Sequence, residues 1–209
     1  MFNRLAHPSV YWRTLLALVV CFFNLYAPAA ERRVALVIGN ASYGGDGQLS
    51  NPINDARLIA STLRGLGFEL IGPKGQGPDA LYTDLDKEGL QQAFIDFGKR
   101  AKNADVVFVY YSGHGLRGSN GRNYLVPVRS VIESDDHIRL RSVQVEELLD
   151  ELGSADQQLR MVVLDACRNN PFGDRKKGFG EKGMARPGAV TSGTLMAFAT
   201  GDGQTALDG

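Results

Sequence analysis

An α/β fold built on a mostly parallel sheet is predicted by three features of the sequence. Short apolar runs rich in β-branched and aromatic residues recur at 34–38 (VALVI), 68–71 (FELI), 106–111 (VVFVYY), 161–164 (MVVL) and 194–199 (TLMAFA). Stretches with apolar residues at helical spacing separate the first three of these, at 54–66 and 85–102. Strand, helix, strand, helix, strand in this order folds by crossover connections into a sheet with helices on its faces.

The run at 34–38 has no polar alternation and ends at Gly39-Asn40, the pattern of a central strand buried on both faces. After a loop at 41–52, Ala56, Ile59, Ala60, Leu63 and Leu66 mark a helix that Gly65 and Gly67 stop. A Gly/Pro-rich loop at 72–78 follows the second strand, and Leu90, Ala93, Phe94 and Phe97 define the next helix. The strongest strand is 106–111. Residues 124–128 (YLVPV) read as a short strand whose Pro127 is tolerated mainly at a sheet edge, and 143–152 as a short amphipathic helix. Between the strands at 161–164 and 194–199 lies a glycine-rich stretch, 173–189, carrying Arg175, Lys176, Lys177, Lys182 and Arg186. It is expected to be exposed and open to proteolysis.

Lys and Arg total 23 and Asp and Glu total 23, so the zero formal charge offers no general attraction for a polyanion, and nucleic acid is not an expected partner. Residues 1–29 have the layout of a secretory signal peptide: Arg4 and Arg13 flank a polar opening, an apolar run occupies 14–27, and Ala27-Pro28-Ala29 ends it. The apolar run is shorter than the roughly 20 residues a spanning helix needs. Cleavage would leave no stable membrane span and a secreted or periplasmic protein; an uncleaved anchor, or a lipid on Cys21, are the alternatives. Removal of the leader also removes Cys21 and leaves Cys167 as a lone cysteine where disulfides form readily, either a reactive thiol or a buried, inert one.

In open α/β sheets, ligands bind beyond the carboxyl ends of the strands. Two of the strands run there into reactive groups: 106–111 into Ser112-Gly113-His114-Gly115, and 161–164 into Asp165-Ala166-Cys167. If these strands are neighbours, an imidazole and a thiol share one cleft. Gly113 and Gly115 are expected to leave His114 projecting from a loop. A thiol with a pKa of about 8.5 is mostly protonated at neutral pH, and a nearby histidine is the usual activator. His137, in the polar stretch 134–139, reads as a surface residue, and His114 alone could be a structural turn histidine. One cysteine and one histidine fall short of a zinc set, so no metal or other cofactor is expected. An esterase elbow is also absent, because no glycines stand at the outer positions around Ala166-Cys167-Arg168.

YYSGHG at 110–115, followed about 50 residues later by VVLDACRNNPF at 162–172, resembles the large-subunit region of caspases, metacaspases and their bacterial relatives. VALVIGN at 34–40, NPINDA at 51–56 and GTLMAFAT at 193–200 extend the resemblance over roughly residues 33 to 209. It implies a caspase-like three-layer α/β/α sandwich, with a catalytic region at 32–172 and the start of a small-subunit region at 190–209. In relatives a further helix and strand follow, so the sequence is expected to stop short of that region's end. The resemblance also implies a cysteine endopeptidase with His114 and Cys167 as its dyad and the amides of Gly115 and Cys167 as its oxyanion hole. Asp165 and Asp55 match the acids of the metacaspase specificity pocket, which implies peptide or protein substrates with Arg or Lys at P1, the residue before the scissile bond. Such an enzyme would find cleavage sites in its own linker at 173–189. One departure bears on regulation: 116–122 (LRGSNGR) lacks the acidic cluster of calcium-dependent metacaspases, so calcium activation is not expected. The alternative function is a catalytically silent caspase-like domain serving protein interaction, in which Cys167 need not be an activated, alkylatable thiol.

Overall fold

The computed structural model describes residues 31–73, 75–76, 80–153, 159–167 and 192–199, of which those from Arg32 onward belong to one compact unit. Its core sheet is parallel throughout, in the order β2 (Glu69–Gly72), β1 (Arg33–Gly39), β5 (Val106–Arg117), β8 (Leu159–Cys167), β9 (Thr194–Phe198). Every residue of β1 after Arg33 is buried, as an unbroken apolar run requires when both faces of a sheet are covered.

Four helices complete the described fold: α1 (Pro52–Gly65), α2 (Lys87–Ala101), α3 (Asp135–Arg141) and α4 (Val145–Leu152). Leu90, Phe94 and Phe97 of α2 and Leu148 of α4 pack with Leu36, Ile38, Val109, Val162 and Leu164 on one sheet face. Ala56, Ala60 and Leu63 of α1 pack with Ala35, Val37, Leu70 and Tyr110 on the other. The result is the expected three-layer sandwich. On the α1 side, β9 leaves Leu195 59% exposed.

Smaller strands adjoin this sheet. β3 (Gly75–Gln76) runs antiparallel to β2, and β4 (Tyr82–Thr83) pairs with the end of β1. Beyond the end of β1, β5 continues into a second, antiparallel sheet with β6 (Asn123–Leu125) and β7 (Val143–Gln144).

This second sheet accounts for most departures from the sequence reading. The strand expected at 124–128 is only Asn123–Leu125, ends before Pro127 and belongs to the small sheet. The helix expected at 143–152 is divided, because Val143–Gln144 pairs with β6 before α4 begins. Helix α3 escaped notice since Ile138 is its one buried residue and leaves no apolar period to detect. Its signals are polar: Ser134 accepts from the His137 amide at 3.2 Å, acids occupy the first turn, and arginines the last. His137 is partly exposed on this helix, with Nδ1 accepting from the Glu133 amide at 3.2 Å. The leader expected at 1–29, with Cys21, and the linker expected at 173–189 lie outside the described residues.

Gly39 sets how closely α1 approaches the sheet. A Cβ there would lie 2.6 Å from the Pro52 carbonyl oxygen and 2.9 Å from the Ala56 Cβ, and neither a strand nor a helix backbone yields easily. Gly39→Ala should therefore destabilise the fold by about 1–3 kcal/mol, read as a thermal midpoint lowered by roughly 2–4 °C per kcal/mol. An unchanged midpoint would mean that α1 shifts freely on the sheet.

Candidate active site

Strands β5 and β8 run parallel with Ser112 opposite Asp165, Gly113 opposite Ala166 and His114 opposite Cys167. Neighbouring strands stand about 4.8 Å apart, so the pairing alone makes the backbones of His114 and Cys167 adjacent at the carboxyl end of the sheet. The expectation that His114 projects from a loop is corrected: it lies within β5 and is only 4% exposed. The strand continues because Gly113 has no side chain to obstruct it. A Cβ there would meet the Tyr43 hydroxyl at 2.5 Å and the Tyr111 hydroxyl at 2.8 Å. Past the last pair with β1, Gly39 opposite Ser112, the strand takes β6 as its partner from Gly115 onward. Gly115 is buried opposite Leu125.

The His114 imidazole is held from the loop after β1. Tyr43 packs on it with ring centroids 4.3 Å apart, and Nε2 lies 2.7 Å from the Gly47 carbonyl oxygen. A carbonyl oxygen only accepts, so Nε2 carries the proton and Nδ1 the lone pair. The backbone of His114 is fixed as well. Its amide donates to the Tyr43 hydroxyl at 2.8 Å, and its carbonyl accepts from the Tyr111 hydroxyl at 3.1 Å and the Val126 amide at 2.9 Å. The two hydroxyls are 3.2 Å apart. Burial raises both tyrosines well above the usual phenol range, and they stay protonated.

That loop is in turn tied down by two residues the sequence reading did not single out. The Asp84 carboxylate accepts from the Ala41 and Ser42 amides, each at 2.8 Å, and from the Ser42 hydroxyl at 2.7 Å. Fully buried Asn40 donates from its backbone to the Ser112 carbonyl at 2.8 Å, and its side-chain amide both donates to and accepts from the Leu85 backbone. The available signal for Asn40 was its place directly after Gly39 at a strand end, where a short amide side chain commonly bonds nearby backbone.

Asp165 bonds to Tyr110, and the charge of Asp55 also reaches that residue. On the α1 side of the sheet, the Tyr110 hydroxyl donates to Asp165 Oδ2 at 2.9 Å. Asp55 sits in the first turn of α1, where its charge favours the helix N-terminus and also reaches Tyr110. Burial first, then the Asp165 charge and more weakly that of Asp55, push the Tyr110 phenol above its ordinary range. Among the described residues, no group of three His, Cys, Asp or Glu side chains could hold a metal ion, and no helix is long and apolar enough to cross a membrane.

A family model described as Caspase domain matches residues 32–209. Human mucosa-associated lymphoid tissue lymphoma translocation protein 1 is 26% identical over 148 residues, covering 70% of this chain and 16% of that protein. Metacaspase-6 of Arabidopsis thaliana is 33% identical over 91 residues, covering 40% of this chain and 23% of that protein. The chain thus spans less than a quarter of these curated relatives, at 16% and 23% of their lengths. The solved structure of pro-sf-caspase-1 superposes with a TM-score of 0.52 at 17% identity, over 82% of this chain and 62% of that one, a likeness of fold.

The anchoring of the loop generates a pH dependence. Burial pushes the Asp84 carboxyl upward, but its three hydrogen bonds outweigh burial and hold it below the ordinary carboxylate range. A depressed folded-state pKa adds stability above the unfolded value of about 3.9, and that stability is lost as pH falls through the lower folded value. In thermal unfolding between roughly pH 7 and pH 3, the advantage of wild type over Asp84→Asn should be level near neutrality and shrink in acid. A gap independent of pH would show that the charge of Asp84 does not hold the loop.

Proposed function

This chain belongs to the caspase-domain family of cysteine peptidases, and from that premise we propose that it is a cysteine endopeptidase in which Cys167 is the nucleophile and His114 its base. The observation that supports this most is the β5–β8 register, which pairs these two residues at the end of the sheet where α/β folds bind ligands. His114 Nδ1, carrying the lone pair, takes the thiol proton as sulfur bonds to the scissile carbonyl carbon and the carbonyl π electrons move onto oxygen. Collapse of that intermediate breaks the C–N bond, and the imidazolium returns its proton to the departing amine. A water deprotonated by the same imidazole then releases the acyl group from sulfur. The Gly47 carbonyl, bonded to Nε2–H, stabilises the imidazolium. The amides of Gly115 and Cys167 receive the oxyanion, each contributing about 3 kcal/mol to the barrier.

The substrates in this reading are peptides or proteins with Arg or Lys at P1, gripped by Asp165 and Asp55. A carboxylate bonded to Tyr110 and a second whose charge reaches it favour a cationic side chain and repel an acidic one. The enzyme works without nucleic acid, metal or organic cofactor, outside the cytoplasm once the leader is removed.

Hydrolysis of fluorogenic peptides carrying Arg, Lys or Asp at P1 tests the mechanism. Cys167→Ala and His114→Ala should each abolish turnover of the Arg and Lys peptides, and the double variant should be little worse than either, since nucleophile and base act as a unit. Turnover at the wild-type rate by Cys167→Ala would remove the dyad. Asp165→Ala should lower kcat/KM for the Arg peptide by about 30-fold or more, because a buried charge loses its partner. Undiminished cleavage of that peptide would remove Asp165 from the pocket.

A further inference from the structure

The adjacent tyrosines of YYSGHG do different work. Strand alternation sends Tyr111 to the α2 side, where its hydroxyl bonds the backbone around His114, and Tyr110 to the α1 side. Tyr110 is buried among Ala35, Val37, Ala56 and Ala60, yet its hydroxyl bonds a carboxylate. The register explains how. Tyr110 stands opposite Val163, and Asp165 is two residues further along the same strand. Two strand residues advance about 6.6 Å, the reach of a phenol ring with its hydroxyl, so tyrosine is the apolar-bodied side chain long enough to sit in the core and still touch Asp165.

The identity of the donor matters too. Asp165 and Asp55 carry like charges near the same hydroxyl. An arginine or lysine in the place of Tyr110 would hold Asp165 but cancel the charge a cationic substrate needs. A phenol donates one hydrogen bond and brings no charge, and burial beside two carboxylates keeps it protonated.

We propose that Tyr110 is a positioning residue for substrate recognition: by occupying Oδ2 of Asp165 it fixes the carboxylate so that Oδ1, together with Asp55, meets an incoming guanidinium or ammonium with both negative charges intact. The inference rests on Asp165 and Asp55 forming the specificity pocket.

Binding without turnover tests it. In the full chain carrying Cys167→Ala, the Kd of labelled peptides with Arg at P1 is compared with that of the same peptides bearing citrulline, which has the shape of arginine without its charge. The parent should prefer Arg strongly, and Asp165→Asn should abolish the preference. Tyr110→Phe, which keeps the ring in the core and removes one oxygen, should weaken Arg binding about tenfold or more, the scale of a hydrogen bond to a charged group, and leave citrulline binding unchanged. Added to Asp165→Asn it should have no further effect. If the preference depends on Asp165 but Tyr110→Phe retains it, the positioning role is wrong and the pocket stands. Equal weakening of both peptides would make Tyr110 a packing residue and overturn the proposal. A parent indifferent to arginine and citrulline would remove the pocket itself, and the role of Tyr110 with it.

Discussion

The parallel pairing of β5 with β8 is the constraint on which the rest of the site depends. Nine consecutive residue pairs, from Val106 opposite Leu159 to His114 opposite Cys167, are locked in one register, and both strands have apolar residues buried against α2 and α4. Side chains alternate along a strand, so a slip of one residue would exchange the sets of side chains fitted to the two helix layers as well as separate His114 from Cys167. The core therefore enforces the alignment of the site, and hydrophobic burial is the free-energy source that keeps the two chemistry-bearing residues adjacent.

Around that pairing the fold divides its labour between two sheet faces. Tyr111 and Tyr43 converge on His114, whereas Tyr110 holds Asp165 on the α1 side, within reach of the Asp55 charge. Aromatic residues suit both tasks, because each supplies apolar bulk to a core and one polar atom at its edge. Gly113 lets these arrangements coexist on one strand. Without a Cβ it admits both the Tyr43 and Tyr111 hydroxyls to positions that any side chain would contest.

The core strands were legible in the sequence because each is a short apolar run, and the first two helices because their buried faces repeat at helical spacing. The second sheet was not. Its members are too short for a periodicity, and Val143-Gln144 reads equally well as the start of a helix until β6 is there to pair with it. The place of His114 was misjudged for a related reason: two glycines beside a polar residue look like a turn, and only the fixed positions of Tyr43 and Tyr111 show them to be clearance within a strand. Asp165, Asp55 and Cys167 could be singled out from motifs. Asn40 carried only the signal of its place after Gly39 at a strand end, and Tyr43 and Asp84 carried none, since their meaning lies in bonds to residues some 40 to 70 positions away.

Among the groups that address His114, a main-chain oxygen, that of Gly47, bonds to its ring. No side-chain replacement can delete a backbone carbonyl; a substitution there acts only by bending the turn Gly45–Gly47. Scanning mutagenesis would pass over this contact with little signal, and a comparison of sequences scored by side-chain identity would assign the position no importance. What must be inherited at this point is the path of the chain, which the neighbouring Ser42 and Tyr43 hold through their own contacts with Asp84 and His114.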